Sequence, residues 1–305
     1  MARSKNRVSR LAIFFALLSL ILGALLYRAT SCSRTPPVPL PGATPRSRAR
    51  APRRLPVVER ERTAPRPSPR PPPDTSPSPP DRGGPLPTIA ILIDDLGNDT
   101  AAVDRIAGWR FAVSAAVLPG LPASENTARA LERSGKQVLL HLPMEPRGFP
   151  GVRPGPGVVL RSQSDEEIAS TLRSDLETVP GAVGVNNHMG SAATADMRVM
   201  RAVAGVLAAR GLFFVDSRTT GATVALEAAR EARIRSASRR VFLDDVQKEG
   251  AIEESLTELI AHAKTDGSAI AIGHPYATTL TVLDRELPKL SARGVRLVKI
   301  SELVR

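Results

Sequence analysis

Thr88-Ile-Ala-Ile-Leu-Ile-Asp-Asp-Leu-Gly97 is an apolar run that stops on two adjacent carboxylates, Asp94 and Asp95. Its composition is that of a fully buried strand. Charge at the end of a buried strand is costly unless it meets a metal ion, a proton or another cation. Taken alone, the pair has a plain structural account, in which one Asp caps the following helix and the other is solvated. Five further apolar runs, however, also end on polar, chemically able residues. These are His141 in Leu139-Leu-His-Leu-Pro-Met-Glu-Pro146, the element Asn186-Asn-His-Met-Gly-Ser191, Asp216-Ser217 after Leu212-Phe-Phe-Val215, Asp244-Asp245 after Val241-Phe-Leu243, and His274-Pro-Tyr276 after Ala269-Ile-Ala-Ile-Gly273. An Asp with two His is a ligand set for zinc or a similar divalent ion that leaves coordination positions open. The fourth histidine, His262, falls in an expected helix beside the stripe Ile252, Leu256, Leu259 and Ile260 and reads as structural.

For these residues to meet, the intervening elements must bring the strand ends to one face. Strands are expected at 88–94, 111–118, 137–142, 182–186, 212–216, 240–243, 268–273 and 296–300. Between them, Ser164-x-x-Glu167 forms a capping box ahead of Ile168, Leu172 and Leu176. A second helix is expected from about Asp196 to Arg210, with Val199, Val203 and Leu207 at helical spacing and Gly211 as its stop. Strict alternation of strand and helix implies a parallel sheet with right-handed crossovers. Seven or eight such units point to a barrel, on which all strand ends surround one pocket.

Composition divides the chain. Residues 34–87 hold 18 of the 28 prolines and eleven arginines, so 29–87 is expected to be a disordered, partly polyproline-II linker. The formal charge of +12 lies entirely in residues 1–87, which carry 16 Lys+Arg against 4 Asp+Glu, leaving 88–305 neutral. A nucleic-acid-binding domain is therefore not expected. Arg3, Lys5, Arg7 and Arg10 precede the apolar run Leu11–Tyr27, closed by Arg28. Residues 1–10 thus read as a cytoplasmic basic tail and 11–28 as a single-pass anchor or signal segment. The folded domain, 88–305, is then expected on the periplasmic side of a bacterial inner membrane. The single cysteine, Cys32, rules out an internal disulfide.

Ile93-Asp-Asp-Leu-Gly97, His141-Leu-Pro-Met-Glu145, Asn186-Asn-His-Met-Gly-Ser191 and Gly273-His-Pro275, in this order and spacing, resemble the divergent polysaccharide deacetylase family. That family is a remote branch of the NodB-type carbohydrate esterases. The resemblance covers residues 88–303 and implies a distorted (β/α) barrel of seven to eight parallel strands with a metal-dependent deacetylase-like site. By the resemblance, Asp94 matches the general base, Asp95 the metal-binding Asp, His141 the first residue of the parent group's His-x-x-x-His motif, and His274 the general acid. The second His of that motif is Glu145 here, and the parent Arg-x-Pro-Tyr element is replaced by the segment containing His188. His188 is inferred to supply the missing imidazole, so the expected metal set is Asp95, His141 and His188, with Glu145 as the rival third ligand. Asn187 and Ser191 are expected to orient ligand or substrate, and Asp216 and Asp244 to fix imidazoles from behind.

The implied reaction is hydrolysis of an N- or O-acetyl group on a cell-envelope glycan, with a divalent metal, most readily zinc. The domain contains one tyrosine, Tyr276, and one tryptophan, Trp109, which is sparse for stacking sugars, although Tyr276 adjoins His274. The altered metal motif and scarce aromatics favour a competing reading, a catalytically silent envelope protein that uses the same barrel and metal site to bind a glycan or protein partner. An unrelated barrel hydrolase built on Asp244-Asp245 would leave the Asn-His-Met-Gly-Ser element without a role.

Overall fold

Ile89, Ile91 and Ile93 face one way along β1 (Thr88–Leu96), Ala90 and Leu92 the other, and all five are fully buried. A strand covered on both faces belongs to the middle of a parallel sheet. The computed structural model describes residues 85–305; the basic tail, the anchor segment and the linker as far as residue 84 lie outside the described residues. Among the described residues no helix is long and apolar enough to cross a membrane.

Around β1 run β2 (Ser114–Val117), β3 (Gln137–Met144), β4 (Gly184–Met189), β5 (Phe213–Asp216), β6 (Ser236–Ser238), β7 (Val241–Phe242), β8 (Ser268–Gly273) and β9 (Arg296–Leu297). Every pairing is parallel, in the order β6-β5-β4-β3-β2-β1-β8-β7, with β9 pairing the start of β1. Helices α1 (Thr100–Gly108), α2 (Ser124–Arg133), α3 (Asp165–Thr178), α4 (Met197–Arg210), α5 (Ala225–Glu231), α6 (Glu249–Asp266) and α7 (Ala277–Glu286) fill the crossovers. The capping box forms in both directions at Ser164 and Glu167. Asp196 caps α4, and Gly211, at φ 67°, ends it. His262 sits on α6 within 3.3 Å of Glu258 and takes no part in the site.

The even-numbered side of β1 packs with Ala116, Leu139, Phe213, Val215, Ile270 and Ile272 into an interior closed from below by Val298 and Ile300. The odd-numbered side packs against the helices. Full burial of each large aliphatic is worth roughly 1.5–3 kcal/mol, so the two cores together outweigh the cost of ending the strands on polar groups.

The expected distorted barrel of seven to eight strands, whose closure the alternation of elements does not settle, is a nine-stranded sheet in which β6 and β7, the two ends of the strand order, are not paired with each other. Only Arg239 and Arg240 separate them. Two strands running in the same direction cannot be neighbours across so short a link, because a parallel pair needs a crossover of a dozen residues or more. The chain instead passes from β6, bonded to β5, directly into β7, bonded to β8. The sheet is a curled half-barrel whose open seam is crossed by the chain itself. The three-residue β6, half-buried and with the composition Ser-Ala-Ser, is the strand that sequence periodicity misses.

Candidate active site

Side-chain alternation explains which strand-end residues meet. Asp94 continues the inward-facing series Ala90, Leu92; His141 continues Leu139; His274 continues Ile270 and Ile272. Asn186 and His188 lie on the inward side of β4, opposite in phase to Val185, which packs outward. Asp95 should point outward. It turns inward because its backbone is in the left-handed region, φ 57°, and the β1–β2 register slips between Ile93 and Leu96. This irregularity lets two adjacent carboxylates face one pocket.

There Asp95, His141 and His188 converge. Asp95 Oδ1 lies 3.1 Å from His141 Nε2 and 2.9 Å from His188 Nδ1, and the two ring nitrogens are 3.1 Å apart. Asp95 Oδ1 is buried and accepts no hydrogen bond of good geometry. Three donor atoms at the corners of a small triangle, one an orphaned anionic oxygen, fit a divalent cation, since neighbouring ligands of a tetrahedral ion at 2.0–2.1 Å stand about 3.3 Å apart. Burial opposes charge on Asp95, but the two imidazoles beside it outweigh burial and hold its carboxyl well below the usual range. Burial also opposes charge on His141, and Asp94 and Asp95 overcome it to raise that ring's pKa. His188 moves the other way, lowered by burial and by the neighbouring imidazoles. The pocket therefore attracts positive charge, which a proton or a metal ion at these nitrogens satisfies.

Asp94, 2% exposed, stands behind the triangle with Oδ2 3.5 Å from His141 Nε2. Asn186 Nδ2 donates to both of its oxygens, at 2.9 and 3.0 Å, and lies 3.2 Å from Ser217 Oγ. Burial pushes the Asp94 carboxyl up to about 6, against the pull of His141 and His274.

On the opposite side of the pocket His274 Nε2 approaches to 4.0 Å of Asp95 Oδ2. Its ring donates from Nδ1 to Asp244 Oδ1 at 2.8 Å, and its backbone N–H donates to Asp244 Oδ2 at 2.6 Å, where Thr279 also donates. Burial disfavours the charged ring, but Asp244 overrides it and raises His274 to about 9. The imidazole is flanked by Phe242, stacked with centroids 6.1 Å apart, and by the exposed Tyr276 at 5.5 Å. Arg239 lies 3.6 Å over the Phe242 ring and donates to Ser217 O, bridging the open seam at the mouth of the site.

Other expected residues lie elsewhere. Glu145, the rival ligand, accepts from the Arg161 backbone N–H at 2.7 Å and from its guanidinium at 3.0 Å, outside the triangle. Asp216 shares the outward phase of Phe214 rather than the inward phase of Val215, so it accepts from Arg218 N and Thr223 Oγ1 and fixes no imidazole. Asn187 accepts from Ser217 N and donates to Met189 O, shaping the turn beyond β4, and Ser191 Oγ accepts from Arg147 N. The sequence marks Asn186 as a strand-end residue without giving it a role, and it gives none to Thr279, Phe242 or Arg239. Inward phase on β4 was the signal for Asn186; for Arg239 the seam it bridges is visible only in the fold.

A family model described as divergent polysaccharide deacetylase matches residues 91–304. Uncharacterized protein YibQ of Escherichia coli K12 is 39% identical over 217 residues, covering 71% of this chain and 67% of that one. An uncharacterized protein of Haemophilus influenzae Rd is 35% identical over 217 residues, covering 71% and 76%. Among solved structures, that of uncharacterized protein ATU2773 from Agrobacterium tumefaciens C58 superposes with a TM-score of 0.69 at 23% identity, covering 73% of this chain and 91% of that one.

Proposed function

The chain belongs to the divergent polysaccharide deacetylase family, and from that premise we propose that it is a metal-dependent hydrolase removing acetyl groups from a cell-envelope carbohydrate. The observation that carries the proposal is the Asp95–His141–His188 triangle with Asp94 on one side and His274 on the other. The triangle would hold a divalent ion, zinc being the best match to its donor set, and such an ion supplies polarisation of the acetyl carbonyl and stabilisation of the oxyanion. Asp94, ionised beside Asn186, takes the proton of the attacking water. His274, charged through Asp244, gives a proton to the departing amine or hydroxyl as the bond to the acyl carbon breaks, releasing acetate. Tyr276, exposed beside His274, offers one small stacking surface, which suits a single sugar ring rather than a long chain. The basic tail and the apolar run of residues 11–28 support placement of the domain outside the inner membrane.

The test is acetate release from N-acetylated and O-acetylated oligosaccharides by the full chain in detergent, with and without added zinc, and by Asp94→Asn. Zinc-dependent release that falls about a hundredfold or more in Asp94→Asn is expected. Equal rates in the two proteins remove Asp94 as base. The scarcity of aromatics supports the second reading, a silent glycan- or protein-binding member. It predicts oligosaccharide affinity retained in Asp94→Asn and no turnover with any metal.

A further inference from the structure

At the end of the sheet opposite the catalytic residues, the turn between α5 and β6 carries Arg233, Ile234 and Arg235. With Arg230, Arg305 and Leu226 these residues line a cavity of about 450 Å3, and Arg233 to Arg235 also border an adjoining cavity of about 280 Å3. No acidic side chain lines either one.

Several arginines elsewhere on the described surface are matched with acids: Arg105 with Asp284, Arg129 with Glu125, Arg201 with Glu231, Arg285 with Glu249 and Glu253. Among the described residues none of Arg230, Arg233, Arg235 and Arg305 has a carboxylate partner. The nearest acid in sequence, Glu231, is committed to Arg201. Two of the four are also held in place. The Arg235 guanidinium lies 5.8 Å over the buried Phe213 ring, and Arg305 exchanges backbone hydrogen bonds with Ser236 in both directions, extending the edge of the sheet. Four arginines line this one concavity, and guanidinium forks match the oxygens of a phosphate in pairs.

We propose that this cavity is a binding site for a phosphate group, independent of the acetyl-hydrolase reading. Leu226 and Ile234 give it an apolar edge, as a phosphoester with a carbon substituent requires. Such a group comes from a soluble phosphoester or from an anionic phospholipid headgroup. The site lies at the end of the sheet where β1 begins.

The experiment follows thermal unfolding of the full chain in uncharged detergent, with inorganic phosphate in one arm and phosphatidylglycerol doped into the micelles in the other. Arg233→Gln/Arg235→Gln is compared with Arg129→Gln/Arg285→Gln, which removes the same charge elsewhere. The expected result is a saturable rise in Tm in at least one arm, with an apparent Kd about tenfold or more weaker in Arg233→Gln/Arg235→Gln and unchanged in the control pair. The responding arm identifies the source of the phosphate. Absence of a saturable rise in both arms, a rise that survives Arg233→Gln/Arg235→Gln, or equal weakening in the control pair overturns the proposal.

Discussion

Asn186 Nδ2 lies 2.9 and 3.0 Å from the two oxygens of Asp94, which fixes which way the amide faces. Its oxygen cannot face a carboxylate, so it turns to His141, 3.0 Å from Nδ1. His141 then donates from Nδ1, which leaves Nε2 to take either a metal ion or the extra proton that Asp94 and Asp95 favour. One side chain thus positions the proposed base and sets the tautomer of a proposed ligand.

Two substitutions separate those roles. Asn186→Asp keeps an acceptor for His141 Nδ1–H but sets a second carboxylate against Asp94. It is expected to hold zinc within a fewfold of the native affinity while losing most acetate release. Asn186→Leu removes both contacts and is expected to lose about 10–100-fold in zinc affinity as well. Competition titration with a chromophoric chelator reads the affinities, and equal losses in the two variants would refute the tautomer account.

The identity of the third ligand is open to a similar comparison. Glu145 is occupied by Arg161, whereas His188 Nδ1 points into the triangle. His188→Ala is expected to weaken zinc binding by about a hundredfold or more, and Glu145→Gln by less than about threefold. The reverse order would restore Glu145 as the ligand.

Much of this arrangement is legible in the sequence because strand ends in an alternating β/α chain are marked by residue type. Asp94, His141, His188 and His274 announce themselves as polar groups closing apolar runs, and their convergence follows from the parallel sheet. What escapes is phase. Asp216 and Ser217 are equally plausible by type, yet only Ser217 faces inward, because one residue along a strand reverses the side chain. Asp95 escapes in the opposite sense, since its inward turn depends on the left-handed backbone at φ 57°. The open seam was hidden because β6 is too short to show periodicity.

The pH dependence of turnover should report Asp244. As a general acid His274 must be protonated, so activity is lost as pH rises through its pKa. Asp244 holds that pKa above the ordinary value, near 9. Asp244→Asn still offers an oxygen to Nδ1–H but no charge, so the alkaline limb of kcat/KM is expected to move to lower pH by about one unit or more. An unmoved limb would remove His274 from the role of acid.

Stability should depend on a carboxyl far from the chemistry. Asp175 on α3 is 6% exposed, with Oδ2 lacking any partner, and burial pushes its pKa to about 7. The unfolded chain releases this proton near pH 4, while the folded one keeps it until about pH 7. Between these values the folded state binds more protons, so stability falls as pH rises, by at most roughly 4 kcal/mol. Asp175→Asn has no such charge to bury. Its stability advantage over the native chain is expected to be largest at pH 8 and to shrink toward pH 4. Gly157 packs against the same carboxyl at φ 70°, where a Cβ would lie 2.1 Å from Oδ1, so Gly157→Ala should be destabilised at both pH values. Urea unfolding of the three proteins at pH 5 and pH 8 decides the matter. An Asp175→Asn advantage that is the same at both would show that the carboxyl is already neutral, or already solvated, throughout the range.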